Sequence, residues 1–333
     1  MIKSKKLIFC LLAVIIVASC EEKQTYNSTG IASEILVVSN DAIWKSQIGD
    51  TVRSVFMRPQ DGFPNSEANF SIRFVNENNF DKALHSHHNI LILDIDNAVV
   101  KSKIETLKDE WAQPQRVVKM KSAPDSSFFL LFAKHAEAIA ELFEQNERAI
   151  ARIQNAKDRN RELEMILNQR LGINMVISNA MKQVGKSNNS ICIQSKSISD
   201  GLNLIIYTFS YKDSSQLSTD AMTANRKLYF QANSIEKLSG INVSDGLQIV
   251  SSKSRKFIFK GMYAVETRGL WKQQGYLDDF PFVSYAIIDA PRQRVVVFDG
   301  YVNAEKDSKR SSIRKLESMI LDSEFTSPSR TKK

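Results

Sequence analysis

Between Lys134 and Leu171 the chain contains neither proline nor glycine, and strong helix formers dominate. Ile139, Leu142, Phe143, Ile150 and Ile153 recur at helical spacing, and Leu163, Ile166, Leu167 and Leu171 repeat the pattern further on. Between these stripes, Gln154 to Arg161 is almost wholly polar. Such a segment folds as one long helix or as two in tandem, with a polar waist between packed ends, and Gly172 supplies a stop signal. The waist marks a boundary between an N-terminal half, residues 31–160, and a C-terminal half, residues 161–325. Residues 326–333 then form a disordered tail.

Short apolar runs bounded by polar residues read as strands at Glu34–Ser39, Phe70–Val75 and Asn89–Ile95, the last nearly continuous and suited to a sheet centre. Asn40 or Asp41 can cap a helix from Ala42 to about Met57, with Ile43, Trp44, Ile48, Val52, Val55 and Phe56 as its apolar stripe. Pro59 to Asn69 is a loop. Ala98–Leu107 reads as a short helix, and Arg116–Met120 with Ser127–Phe132 as a hairpin around Ala123-Pro124-Asp125. In the second half, Ile173–Ser178, Ser190–Gln194 and Asn203–Phe209 read as strands and Ser218–Asn233 as a helix. Lys256–Thr267, Pro281–Asp289 and Arg294–Val302 read as long antiparallel strands, the last two joined at Ala290-Pro291-Arg292-Gln293. A closing helix covers about Ser308–Leu321. The expected class is α+β, with mixed or antiparallel sheets and packed helices. Both halves run from strands into a terminal helix, which hints at two similar α+β halves joined by the long helix. No residue-level repeat accompanies that order.

The N-terminus says where such a chain resides. Lys3, Lys5 and Lys6 precede an apolar run from Leu7 to Val17, and Val17-Ala18-Ser19-Cys20 follows the pattern of a bacterial lipoprotein signal. Residues 1–19 are then removed, and the Cys20 thiol receives a diacylglycerol while the new amine is acylated, commonly by palmitate. Two or more acyl chains hold a protein stably on a bilayer. The run of 11 apolar residues falls well short of the roughly 20 that a spanning helix needs. Residues 20–30 form a flexible tether, in which Glu21-Glu22 reads either as an address to the cell surface or as plain solvated linker. The expected location is the cell envelope, lipid-anchored at the outer membrane, with the periplasmic or surface-facing side open. The expected partners are the membrane, through the lipid on Cys20, and an envelope protein or glycan.

Loss of Lys3, Lys5 and Lys6 lowers the formal net charge from +8 to +5. The remaining charges are interspersed, which argues against a nucleic-acid surface. Cys10 leaves with the signal and Cys20 is lipidated, so Cys192 alone remains and no intramolecular disulfide can form. Cys192 lies in the apolar-alternating Ser190–Gln194 and reads as a buried strand cysteine.

Chemistry-bearing motifs are sparse. His85, His87 and His88 are the nearest approach to a metal cluster, but His135 is the one other histidine, and a polar loop before Ile90 explains them equally. No metal or cofactor is assigned. Gly185-Lys186-Ser187 lacks the glycine that a phosphate loop needs five residues earlier, where Ala180 stands. Asp278, Asp279 and Asp299 read as solvated loop or strand-end charges, and no catalytic residue is assigned. Arg268, Trp271, Tyr276 and Phe280 form a candidate interaction patch, being residue types that anchor interfaces, although they also populate core edges. Lys306, Lys309, Arg310, Arg314 and Lys315 make the start of the closing helix basic. That face suits either anionic headgroups and surface glycans or plain solvation.

Several segments in order resemble a family of predicted Bacteroidota lipoproteins whose domain has no assigned function. They are Glu34-Ile35-Leu36-Val37-Val38 with Trp44-Lys45, Asn89-Ile90-Leu91, Trp111-Ala112-Gln113-Pro114-Gln115, Arg268-Gly269-Leu270-Trp271, Pro281-Phe282-Val283-Ser284 and Lys309-Arg310. The resemblance spans nearly the whole mature chain and implies lipidation but no activity. One departure stands out: the family pattern has a Met-Gly-Gly-Pro-Phe-like turn where this chain has Asp278-Asp279-Phe280-Pro281-Phe282. The favoured expectation is a non-enzymatic binding or assembly accessory protein. The alternatives are an envelope hydrolase or glycan-processing enzyme using separated carboxylates, and a solute- or glycan-binding module with an aromatic-lined pocket.

Overall fold

The structure is a computed structural model and describes residues 26–59, 67–184, 190–197, 199–232, 248–272, 280–303 and 309–327. A short strand, Tyr26–Asn27 (β1), leads into Glu34–Ser39 (β2), which is buried along its whole length. Asn40 Oδ1 accepts from the Ile43 N–H at 2.8 Å to start Asp41–Trp44 (α1), and Ser46 Oγ accepts from the Ile48 N–H at 3.2 Å to start Gln47–Phe56 (α2). The one helix expected over Ala42–Met57 is therefore two. Ser46 also donates to the Ile43 carbonyl, the local competition by which a hydroxyl interrupts a helix.

Ser71–Asn76 (β3), Asn89–Ile95 (β4), Lys103–Lys108 (β5), Ala112–Gln113 (β6) and Arg116–Ser122 (β7) follow. The first sheet has the order β3-β2-β4-β7-β5, parallel throughout except for β5 at one edge. Lys103–Lys108 is thus a strand and not part of a short helix. Ile104 and Leu107, three apart, imitate one helical turn, but pairing with β7 decides the conformation. β6 pairs in parallel with β1 in a separate two-stranded sheet, and the Thr29 N–H reaches the Ser86 carbonyl, so residues 26–29 are paired with the first half rather than left as tether.

Ser126–Lys157 (α3) replaces the second arm of the expected hairpin. Asp125 caps it through the Ser127 N–H at 2.8 Å, and Phe128 and Phe132 extend the stripe of Ala136, Ile139, Ala140 and Phe143 across the first sheet. At 1.5 Å per residue its 32 residues run about 48 Å, so α3 continues well beyond that sheet. The polar waist is a break at Asp158–Asn160. Asn160 then caps Arg161–Leu171 (α4), which ends at Gly172 with φ 64°.

The second half contributes Ile173–Asn174 (β8), Met181–Val184 (β9), Ser190–Ser195 (β10), Leu202–Ser210 (β11), Thr219–Ala232 (α5), Gln248–Phe259 (β12), Met262–Lys272 (β13), Phe280–Asp289 (β14), Arg294–Val302 (β15), Arg310–Asp322 (α6) and Glu324–Phe325 (β16). Seven strands form an antiparallel sheet in the order β12-β13-β14-β15-β11-β10-β9. The strand expected at Lys256–Thr267 is instead a hairpin. Lys260 and Gly261, with φ 46° and 85°, form the two-residue loop whose twist suits antiparallel neighbours. The α+β class holds, but one sheet is mostly parallel and the other wholly antiparallel, so the halves are not copies of one another. Thr326, placed in the tail by sequence, donates its N–H to the Gly172 carbonyl at 2.9 Å and accepts from Arg292 at 2.6 Å.

The antiparallel sheet is covered on both faces. α4 and α6 cover Ile206, Tyr285 and Phe298, while α5 covers Tyr207, Trp271 and Val297. Trp271 is fully buried, stacked 5.1 Å from Phe282 and beneath the guanidinium of Arg226 at 5.2 Å. Trp271→Ala should therefore destabilise the protein by about 3–5 kcal/mol, the range for removing a large buried aromatic. Chemical denaturation checks this, and a loss below about 1 kcal/mol would contradict the burial.

Candidate functional site

Past the first sheet, α3 has no apolar core of its own half to cover, and its inward face turns polar: Asn146, Glu147 and Arg148. This stretch lies along α6, and the two helices form the seam between the halves. Glu147 Oε2 accepts the Ser33 N–H at 2.8 Å, and its Oε1 accepts from Asn89 Nδ2 at 2.7 Å and lies 2.8 Å from His88 Nε2. Burial opposes charge on both partners, but the contact outweighs it. The His88 pKa is raised and that of Glu147 is lowered, so they stand as a buried ion pair. His87, stacked 4.7 Å from His88, shifts the other way through burial and the His88 charge, and it contacts Glu34 at 3.0 Å.

From the other side, α6 presents Arg310, Arg314 and Glu317 at helical spacing. Its first turn is fixed by Glu67, which accepts the Lys309 and Arg310 N–H groups at 3.0 and 2.9 Å, a carboxylate at the positive end of a helix. Arg310 Nη1 reaches the Ala68 carbonyl at 2.5 Å. Arg314 donates to Ser33 Oγ and, at 3.1 and 2.9 Å, to the carbonyl and Oδ1 of Asn69, over the ring of Phe70 at 4.7 Å. Glu317 is paired with Arg268, which also holds Glu266, and Glu266 accepts from Arg255 at 2.7 Å. Arg148 ties the group to α3 through Glu141 at 2.7 Å, Glu144 at 3.6 Å and Glu317 at 3.8 Å. Burial disfavours the Arg268 charge, but Glu317 and Glu266 more than offset it and raise its pKa; Arg268 and Arg255 in turn lower that of Glu266.

Beside this seam opens a cleft of about 530 Å³ between α3 and the β12–β13 hairpin. Glu137, Glu141 and Glu144 line the helix side, one face at four- and three-residue spacing. Lys253, Arg255 and Arg268 line the strand side, with Arg58, Asn69 and Glu266 completing the wall. Arg58 forms an exposed pair with Glu137 at 2.5 Å and lowers its pKa.

The residues expected to carry function are distributed differently. Arg268 reaches the cleft but is locked between two carboxylates, and Trp271 and Phe280 are buried in the core beneath α5. They do not form an exposed patch with Arg268, because alternate β13 residues point to opposite faces of the sheet. Tyr276 lies outside the described residues, as do Cys20, Asp278, Asp279, Lys306 and Gly185-Lys186-Ser187. Asp299, read as a solvated strand-end charge, is fully buried against Arg226 at 2.5 Å. Lys309, Arg310 and Arg314, read as a basic face, turn inward: Glu67 accepts the backbone N–H groups of the first two, the Arg310 side chain reaches the Ala68 carbonyl and Arg314 reaches Asn69 and Ser33. His85 stacks on Trp111 at 4.4 Å, apart from the His87–His88 pair. Among the described residues no group of three or more His, Cys, Asp or Glu side chains is placed to hold a metal ion. Cys192 is buried in β10, and burial pushes its thiol up to about 11. Glu317, Glu147 and Arg148 were not singled out from sequence. The signal that could have found them is the presence of charges on the inward stripe of two otherwise apolar helices.

Residues 28–156 match the family described as Domain of unknown function (DUF8532), and residues 160–322 match Domain of unknown function (DUF4837). Neither family has an assigned function. The two matches meet across the break between α3 and α4. No curated protein matches the chain. Among solved structures, cyanobacterial PsbP (CyanoP) from Synechocystis sp. PCC 6803 is similar at a TM-score of 0.33 and 12% identity, over 46% of this chain and 86% of that one. The Saccharomyces cerevisiae Ran-binding protein Mog1p is similar at 0.30 and 11%, over 47% and 91%. A protein from Bacteroides thetaiotaomicron VPI-5482 is similar at 0.21 and 11%, over 48% and 47%. Likenesses of this size carry no functional argument.

Two predictions test the seam. His88 has its folded pKa above the ordinary 6.5, so its contribution is complete below about pH 6.5 and is lost as pH rises through the raised value. Glu147, depressed below 4.5, keeps its share until the solution is more acidic than that. The stability difference between wild type and His88→Gln should therefore be largest between about pH 4.5 and 6.5 and should shrink toward pH 9 in denaturant titrations; a difference that grows toward pH 9 refutes the ion pair. Glu317→Ala, which removes the α6 carboxylate shared by the buried Arg268 and Arg148, should cost about 3–5 kcal/mol, against at most about 1 kcal/mol for Arg58→Ala at the exposed pair. Equal losses in chemical denaturation would mean that the seam is not buried as described.

Proposed function

We propose that the mature chain is a lipid-anchored protein of the cell envelope, held on the outer membrane by acylated Cys20, that acts by binding a charged partner in the cleft between α3 and β12–β13. The signal-like N-terminus and the resemblance to Bacteroidota lipoproteins support the address. Among the described residues no helix is long and apolar enough to cross a membrane. The binding reading rests on the cleft itself. It lies at the junction of two halves, where ligand sites concentrate, and sets an acidic helix face opposite a basic strand face. Such walls favour a partner carrying both charges, such as a polar protein segment, over a neutral glycan that would stack on aromatic rings.

The hydrolase alternative is less well supported by the same cleft. A general acid in glycoside hydrolysis needs a raised pKa, whereas Arg58 lowers that of Glu137, and Arg268 and Arg255 lower that of Glu266 against the effect of burial.

In-cell crosslinking and co-purification of tagged protein provide the test, comparing wild type with Cys20→Ala, Lys253→Glu and Glu137→Lys. Lys253 and Glu137 are exposed at the rim, so neither reversal threatens the fold. A discrete partner set should be recovered with wild type and diminished by either reversal, and labelled palmitate should enter wild type but not Cys20→Ala. An unchanged partner set in both reversals would sink the cleft reading, and an unlabelled wild type would sink the anchor.

A further inference from the structure

Along the same seam, outside the residues that line the cleft, Arg314 is a buried cation without matching charge in contact with it. Its side chain is 2% exposed, and its hydrogen bonds go to the neutral oxygens of Ser33 and Asn69. Its Nε has no hydrogen-bond partner. Burial dominates the balance, so that its pKa is lowered despite Glu147, Glu144 and Glu317 nearby. A buried charge normally finds a partner, because an uncompensated one is strongly destabilising.

The space beside Arg314 is a cavity of about 90 Å³, walled by Gly30, Ala32, His88, Glu147, Ser311 and Lys315. A single water needs roughly 10–15 Å³ of such volume, so the cavity has room for a small polyatomic ion. Its floor of Arg314, His88 and Glu147 is buried, and it opens past the exposed Gly30, Ala32 and Gln154. Glu147 is the acid in the wall, but Ser33, Asn89 and His88 already occupy its oxygens, and His88 balances its charge. Arg314 and Lys315 therefore remain in excess. Ser311 brings a hydroxyl from the first turn of α6, at the positive end of a 13-residue helix. Gly30, at φ 119°, closes the wall where any Cβ would fall within 2.8 Å of the His87 and His88 rings.

We propose that this cavity is a binding site for a small oxyanion of the phosphate type, held by Arg314 and Lys315 with Ser311 and His88 around it. The cavity shares no lining residue with the cleft, although Asn69 of the cleft wall also holds Arg314, and the proposal does not depend on the binding reading of the cleft. Free phosphate and the phosphate monoester of a lipid headgroup share the required chemistry.

Titration calorimetry and thermal unfolding of the full detergent-solubilised protein test the proposal, using inorganic phosphate, glycerol 1-phosphate and sodium chloride at constant ionic strength. Phosphate should bind saturably and raise the unfolding midpoint, whereas chloride should not. Binding of glycerol 1-phosphate with similar affinity assigns the site to headgroup esters as well; binding of inorganic phosphate alone assigns it to the free ion. Arg314 is too deeply buried to substitute safely, so the variants are at the mouth. Lys315→Glu and Gln154→Glu should each weaken phosphate by about tenfold or more without lowering the midpoint in its absence, while Lys82→Glu, outside the cavity lining, should have no effect. A response that never saturates, that chloride reproduces, or that survives both mouth variants would overturn the proposal.

Discussion

Arg268, held between Glu266 of its own strand and Glu317 of α6, is the interaction on which the arrangement of the two halves depends. Glu317 also faces Arg148 of α3, so one buried guanidinium–carboxylate chain runs from the antiparallel sheet through α6 to the helix that spans the first sheet. An apolar α3–α6 seam would tolerate sliding by a helical turn, since any Leu can replace another. A chain of alternating charges does not, because a slip of one turn leaves a buried ion unpaired at several kcal/mol. The seam therefore sets position more than it adds stability. The first sheet and the antiparallel sheet keep separate apolar cores, and the charges between them fix how they face.

Much of the fold was legible because the strands carry strong period and the helices strong stripes. β2, β4, β10, β11, β14 and β15 fall within a residue or two of where their apolar runs lie, and α4 ends at the glycine that marked its stop. Two failures share one cause, since each required long-range knowledge. Ile104 and Leu107 satisfied a helical spacing until β7 offered an edge. Ser127–Phe132 had the aromatic density of a strand, yet its phenylalanines continue the α3 stripe once the first sheet lies beneath them. A third failure was local: Lys256–Thr267 looked continuous because Lys260 is an unusual residue for a left-handed turn position, although Gly261 beside it carried the usual signal.

The site was far less legible, for a physical reason. A charged residue on an inward stripe looks in sequence like a flaw in amphipathicity, and its partner lies on another element at a separation no pattern encodes. Ser33 and Arg314 are 281 positions apart, and Lys309 and Glu67 are 242 apart. Residue type misled as well. Arg268 and Trp271 together had the composition of an interface anchor, but strand alternation sends one to the charged seam and the other into the apolar core beneath α5. The basic start of α6 had the composition of a membrane-facing patch, yet a carboxylate, a side-chain amide and a hydroxyl from the first half draw it inward.

Once formed, the seam dictates where open polar space remains. Charged side chains of opposite sign cannot interdigitate as densely as aliphatic ones, because each head requires its own hydrogen-bond geometry. The gaps that result lie at the margins of the network, with the cleft on the hairpin side of Arg268 and the small cavity on the His88 side of Arg314. Both inherit walls already charged and oriented by neighbours, which is the preorganisation that lets a site bind without rearranging. They differ in balance. The cleft opposes acids to bases, the pattern behind the proposed partner with both, whereas the cavity retains two cations after its one acid has been matched. A structural device that holds two halves in register thus leaves, at its two ends, surfaces of different charge character.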